Sequence, residues 1–331
     1  MAGDKKAKRI QKRHAPARSA RPGDREKKIL RAEMGWLAPT ARRPHHGLPP
    51  EILGIGYGAK RRGGVIVAPS CIRVYVREKI HSKTQINPRL FIKPTISGIP
   101  TDVIELRSIV AHQAAGESIG TDSGNIGTLG CLLTDGSTQF LLSNNHVLAN
   151  LNQGNPGDPI FMPSRGQIPT APTVALLRDF SPISLDGSAN RFDAAIATLV
   201  PGVIIDPAID NIGTIAVSVA PPDQVAVTKG GAASGQTTGV IDGINEDVQV
   251  MYNNDPAQTA HFTGQIAIVG DGMPFSSPGD SGALVVTNPA LQPIGLLIGG
   301  SIAQPGVPQP HAFASPIQLI LDRFHMTIVT A

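Results

Sequence analysis

Gly279-Asp280-Ser281-Gly282, inside Ser277-Pro278-Gly279-Asp280-Ser281-Gly282-Ala283-Leu284-Val285, is the stretch on which the reading of this chain turns. Alone, it is four good turn formers and would fit any surface loop. Two earlier segments give it weight. His146 lies in Ser143-Asn144-Asn145-His146-Val147-Leu148, and Asp193 in Phe192-Asp193-Ala194-Ala195-Ile196. The order is His, Asp, Ser, with gaps of 47 residues from 146 to 193 and 88 from 193 to 281. A serine hydroxyl is a weak nucleophile until a neighbouring base takes its proton. His146 would be that base, and Asp193 would fix the imidazole tautomer and stabilise the imidazolium. Gly279 allows a turn in which its N–H and that of Ser281 converge on one spot. An oxyanion held there gains about 2.7–4 kcal/mol per donor.

These segments resemble bacterial, cytoplasmic-type trypsin-like serine peptidases, whose triad has the same order with gaps of roughly 45 and roughly 93. The likeness also takes in Lys229–Val240, with its Gly235-Gln236-Thr237-Thr238-Gly239 turn, and Gly295–Ser301 followed by Phe313–Ile317. Upstream, Gly54–Gly58, Ile72–Val76 and Gly98–Ile104 resemble the amino-terminal extension such peptidases carry. The resemblance implies a mainly β, chymotrypsin-like double six-stranded Greek-key barrel with a C-terminal helix and the site in the cleft. It implies a serine endopeptidase acting through an acyl-enzyme on protein or peptide substrates, with no cofactor and no metal. The catalytic residues would be His146, Asp193 and Ser281, and the oxyanion hole Gly279 and Ser281.

By the same resemblance, Phe275, six residues before the nucleophile, would form the base of the substrate pocket. Gly299 and Gly300 would present the strand edge to substrate backbone, and His311 would stand near the far wall. An apolar base implies a small or medium apolar side chain before the cut; a protonated His311 would instead favour an acidic one. In secreted relatives the Asp beside the nucleophile pairs with a new amino terminus. Asp280 matches it, but no Ile-Val-Gly-Gly follows an activation peptide here, so internal donors are expected. Two other readings are a pseudoprotease or peptide-binding scaffold, and an effector protease regulated by its amino-terminal module.

Charge divides the chain of 331 residues. Residues 1–45 hold 14 Lys/Arg against 4 Asp/Glu, a net of +10; the whole is +4, leaving −6 elsewhere. Few large apolar residues stand in this basic segment, so residues 1–47 are expected to be a disordered tail. Such an arm could attract nucleic acid or an acidic partner, but no aromatic interleaving supports that, and a solubilising leader is the preferred reading. The start is charged and lacks an apolar h-region, and no stretch approaches the roughly 18–20 apolar residues of a spanning helix. Cys71 and Cys131 sit in apolar, strand-like runs and read as buried thiols. The expectation is a cytoplasmic protein without membrane association; nothing in the sequence sets an oligomeric state.

Residues 48–110 read as a small α+β module, with strands at 52–57, 64–76 and 101–106 and a short helix within 79–91. It is too small to be stable alone and should dock on the protease domain, 111–331, as a regulator, a chaperone-like extension or a brace. From residue 126 short strands alternate with turns. At the end, Ser315 reads as an N-cap before Pro316. Ile317, Ile320, Leu321 and Phe324 then share one helical face.

Overall fold

The computed structural model describes residues 23–35, 48–49, 51–62, 65–79, 90–106, 118–124, 126–216, 223, 225–301 and 310–330. The amino-terminal module comprises α1 (Asp24–Glu33), β1 (Ile52–Arg62), β2 (Val65–Val76), β3 (Thr95–Ile96) and β4 (Ile99–Glu105). Next come β5 (Ser118–Ile119), β6 (Gly127–Thr128), β7 (Cys131–Thr134), β8 (Gln139–Ser143), the single turn α2 (Asn145–Leu148), β9 (Pro159–Phe161), β10 (Thr173–Phe180), β11 (Ala189–Asn190) and β12 (Ala195–Leu199). The last part holds β13 (Ala226–Gly231), β14 (Gly235–Met251), β15 (Thr259–Gly270), β16 (Leu284–Thr287), β17 (Pro293–Gly300), β18 (His311–Pro316), α3 (Ile317–Phe324) and β19 (Thr327–Ile328). Much of the helix expected within 79–91 falls outside the described residues.

The fold is mainly β. Strands β13 to β18 run in the order β14-β15-β18-β17-β16-β13, and β14 pairs with both β13 and β15, closing a six-stranded antiparallel barrel. The first half is a six-stranded sheet ordered β19-β7-β8-β12-β10-β9. Its outer strand β19 comes from the far end of the chain and pairs Thr327 with Thr134. Neither β9 nor β19 stands out in the sequence, because a two- or three-residue strand has no periodicity to detect. Helix α3 buries Ile317, Ile320, Leu321 and Phe324, as its spacing predicts, against residues of both halves, including Leu133, Phe140, Val286 and Leu296. Ser315 does not cap it: its hydroxyl ends β18 and donates to Gln265 Oε1 at 2.8 Å.

The module joins the closed barrel by strand pairing. β1 pairs antiparallel with β14, placing Gly54 opposite Val248 and Gly58 opposite Gly243, and β2 and β4 continue the sheet. β14 is read from sequence as two strands, 238–241 and 248–252. The structure makes it one, bent by bulges between Ile241 and Val248. Bulges bend and twist a strand, so its first half closes the barrel while its second half pairs with the module. Gly56 is required at this seam: a Cβ there would lie 1.3 Å from the Glu246 carboxylate.

α1 corrects the expectation of a wholly disordered tail. Lys27, Leu30 and Arg31, at i, i+3 and i+4, are buried together. Lys27 Nζ donates to Asn245 O at 2.6 Å and to Asp247 Oδ1 at 2.8 Å, and Arg31 lies 3.6 Å from Asp247. The segment's basic composition hides this face, because the neutralising anion is on β14, 220 residues beyond Lys27. The rest of residues 1–47 is outside the described residues except 23, 34 and 35.

Candidate active site

β8 delivers the chain to α2, and α2 is held by a carboxylate from another strand connection. Asn144 precedes the turn without a side-chain cap bond. Asp193, between β11 and β12, supplies the acceptor instead. Its Oδ1 accepts from the backbone N–H of Asn145 at 2.6 Å and of His146 at 3.3 Å. A helix start leaves such N–H groups unsatisfied, so the anion is at once a cap and a site residue. Asp193 Oδ2 lies 2.5 Å from His146 Nδ1. A carboxylate only accepts, so Nδ1 carries the proton and Nε2 keeps its lone pair for a substrate-side proton. Asn144 Nδ2 donates to Asp193 O at 2.7 Å, and Asn145 Nδ2 donates to Ser181 O at 2.7 Å. These bonds explain the two asparagines before the histidine.

Ser281 sits in the loop from Pro278 to Gly282, fully buried, its hydroxyl donating to Ile298 O at 3.3 Å. Gly279 has φ 106°, in the left-handed region that favours glycine. The neighbouring Asp280 and Gly282 N–H groups are committed to Ser277 O (3.1 Å) and Leu297 O (2.9 Å). Asp280 is satisfied internally, as expected. Its Oδ1 accepts from Ala233 N at 2.9 Å and Ser234 N at 3.1 Å. Its Oδ2 accepts from Ser234 Oγ at 2.6 Å and Ser277 N at 2.9 Å, and pairs with Lys229 Nζ at 2.9 Å. Burial alone would raise this carboxyl, but Lys229 and the hydrogen bonds outweigh it and hold it below the ordinary range. Burial lowers Lys229 more than Asp280 raises it.

Thr128 bolts the two halves together at the site. Its N–H donates to Ser281 O at 2.7 Å and its hydroxyl to Gly279 O at 2.8 Å, while its carbonyl accepts from Ser143 Oγ at 2.8 Å. The adjacent Gly127 is squeezed between the same two segments. A Cβ there would lie 2.3 Å from Val147 Cγ2 and 2.9 Å from Ser281 O, so the residue after His146 and the Ser281 carbonyl converge on one glycine.

Of the pocket residues read from sequence, Phe275 lies in the core of the closed barrel with Val227, Ile241 and Leu297. Gly299 and Gly300 end β17, and Gly300 is packed so that a Cβ would lie 2.8 Å from His311 O and 3.0 Å from Ser276 Oγ. His311 starts β18 and turns to the module: its Nε2 is 3.1 Å from Asp242 Oδ2 and its ring is edge-on to Tyr75 at 5.9 Å. Burial would raise Asp242, but the His311 bond and the guanidinium groups of Arg73 and Arg61 hold it well below the ordinary range. Arg73 is fully buried, bonded to Asp242 and to Ala59 O, and 3.6 Å from Glu246.

Sequence reasoning missed Tyr252, whose hydroxyl donates to Asp193 Oδ2 at 2.9 Å, and it left Asp280's partners unnamed. Lys229 could have been found, since a lone cation between small and apolar strand residues implies a buried anion. Tyr252 gave no signal, because it ends an ordinary apolar strand.

No family model matches the chain, and no curated protein matches it. Among solved structures it is similar to a glutamic acid specific serine protease, at 18% identity over 65% of this chain and 99% of that one, with a TM-score of 0.47. It is similar to Cellulomonas bogoriensis chymotrypsin at 17% identity, covering 68% of this chain and 100% of that one, TM-score 0.46. Thermobifida fusca Protease A matches at 18% identity over 68% and 100%, TM-score 0.45. Among the described residues no helix is long and apolar enough to cross a membrane.

Proposed function

We propose that this chain is a serine endopeptidase in which Ser281 attacks the scissile carbonyl, His146 takes and returns the proton, and Asp193 orients the imidazole. The observation that carries the reading is the 2.5 Å contact of His146 Nδ1 with Asp193, on a segment that Thr128 and Gly127 bind to the Ser281 loop. The tetrahedral oxyanion would be held by the N–H groups of Gly279 and Ser281; it would collapse to an acyl-enzyme as the C–N bond breaks and His146 protonates the leaving amine, and water activated by the same histidine would then hydrolyse the ester, releasing the acid and Ser281. No cofactor or metal takes part in this scheme.

Gly299, Gly300, His311 and Phe275 are assigned to the substrate pocket. With His311 held by an anion that already has two guanidinium partners, the pocket is proposed to take an uncharged, small or medium side chain before the cut. Cys71 and Cys131 are buried free thiols; a cytoplasmic setting and a protein or peptide substrate are part of the proposal. Treatment with a serine-reactive phosphonate, followed by peptide mapping, tests the reading. One adduct on Ser281, lost in Ser281→Ala, is expected; an unlabelled Ser281 in the folded protein would favour the peptide-binding scaffold.

A further inference from the structure

We infer that Tyr252 is a positioning residue of the site, seated in a core cluster that the barrel and the amino-terminal module share. The inference rests on the peptidase reading of His146, Asp193 and Ser281. Asp193 carries four of the site's hydrogen bonds: Oδ1 serves two backbone N–H groups, and Oδ2 serves His146 and the Tyr252 hydroxyl. The two donors on Oδ2 fix its position from two directions, and the imidazole follows the carboxylate. The Tyr252 ring also lies 5.1 Å from the His146 ring, tilted by 53°, so it blocks rotation of the imidazole on that side. Burial, and then the Asp193 charge, raise the phenol well above its ordinary value. This shift favours the protonated phenol, the form that can donate to Asp193.

Both the closed barrel and the amino-terminal module contribute to what holds the ring. Tyr252 follows β14 directly, and its N–H donates to Gln258 O at 3.0 Å. It belongs to a buried cluster that includes Val248, Val250, Phe262 and Ile298 from the barrel, and Leu53, Tyr75 and Leu106 from the module. The outer half of β14 has β1 as its neighbour on one side and β15 on the other. The path is contiguous: module strand β1, strand β14, Tyr252, Asp193, His146. A side chain that only filled the core would have no need of a hydroxyl on the carboxylate.

Tyr252→Phe in the full chain tests this, because it removes one oxygen and leaves the ring. We expect kcat on a peptide substrate to fall about tenfold, equivalent to about 1.4 kcal/mol of barrier, with KM within twofold. The proton NMR resonance of the His146 Nδ1–H bridge to Asp193 should move or broaden, and the thermal midpoint should stay within a few degrees. Tyr252→Leu, which also removes the edge of the ring, should lose more kcat than Tyr252→Phe. A wild-type protein that neither hydrolyses peptides nor takes the phosphonate would remove the peptidase reading itself. An active wild type with Tyr252→Phe unchanged in kcat and in the bridging resonance would overturn the role of Tyr252 alone.

Discussion

Asp280 and Asp242 are buried carboxylates of the same closed barrel, and they differ in where their partners come from. Asp280 draws its donors from the barrel itself: Lys229, Ser234, Ala233 and Ser277. Asp242 draws its two cations from the module, Arg61 at 2.5 Å and Arg73, and only His311 from the barrel. The Asp280 side of the Ser281 loop is thus held by local donors. The surroundings of His311 and the outer half of β14 are completed by residues of the module, which precedes the two β halves in sequence. One barrel therefore contains a self-sufficient part and a part that depends on the module.

The sharpest way to break this contrast is to remove one cation from each side. Lys229→Met leaves Asp280 buried without its cation, and stripping one partner from such a pair costs about 3–5 kcal/mol. Because Asp280 adjoins Ser281, kcat should also fall, by about the 10²–10³ of a lost oxyanion donor. Denaturant melts and steady-state kinetics read both effects. Activity within twofold of wild type would show that the loop does not depend on this pair.

Arg73→Met is the matching change at the seam. Asp242 keeps Arg61 and His311, so the expected loss is smaller, about 2–3 kcal/mol, with less than a tenfold change in kcat. A larger kinetic loss here than in Lys229→Met would reverse the comparison.

A third effect concerns pH. Burial pushes Glu246 up to about 8, against an ordinary value of 4.5, although Arg73 and Lys27 pull it down. The folded pKa is the higher one, so the group's contribution to stability is full below about pH 4.5 and is lost as pH rises through about 8. The wild type should therefore lose stability relative to Glu246→Gln on going from about pH 5 to about pH 9. Parallel melting curves across that range would contradict the assignment.

The comparison also explains what the sequence discloses. His146, Asp193 and Ser281 stand in short motifs whose residue types are dictated by their chemistry, so they can be read one segment at a time. Asp280's independence follows from the missing activation sequence, and the face of α3 from its period. The seam is different. Arg73 reads as one polar residue in an alternating strand, and Asp242 and Glu246 read as a bend between two strands. Lys27 and Arg31 read as part of a solvated tail. Each becomes a buried ionisable group with a partner far along the chain brought to it. Pairing between distant segments carries no local pattern, which is also why β14 reads as two strands and Tyr252 goes unseen.

The central claim is that Ser281, His146 and Asp193 work as one chemical unit. The direct measurement is turnover of a peptide mixture by wild type, Ser281→Ala and Asp193→Asn, each shown to be folded by circular dichroism. The account predicts cleavage by the wild type, near-complete loss in Ser281→Ala and a fall of about 10⁴ in Asp193→Asn. Folded Ser281→Ala protein that cleaves at close to the wild-type rate would contradict it.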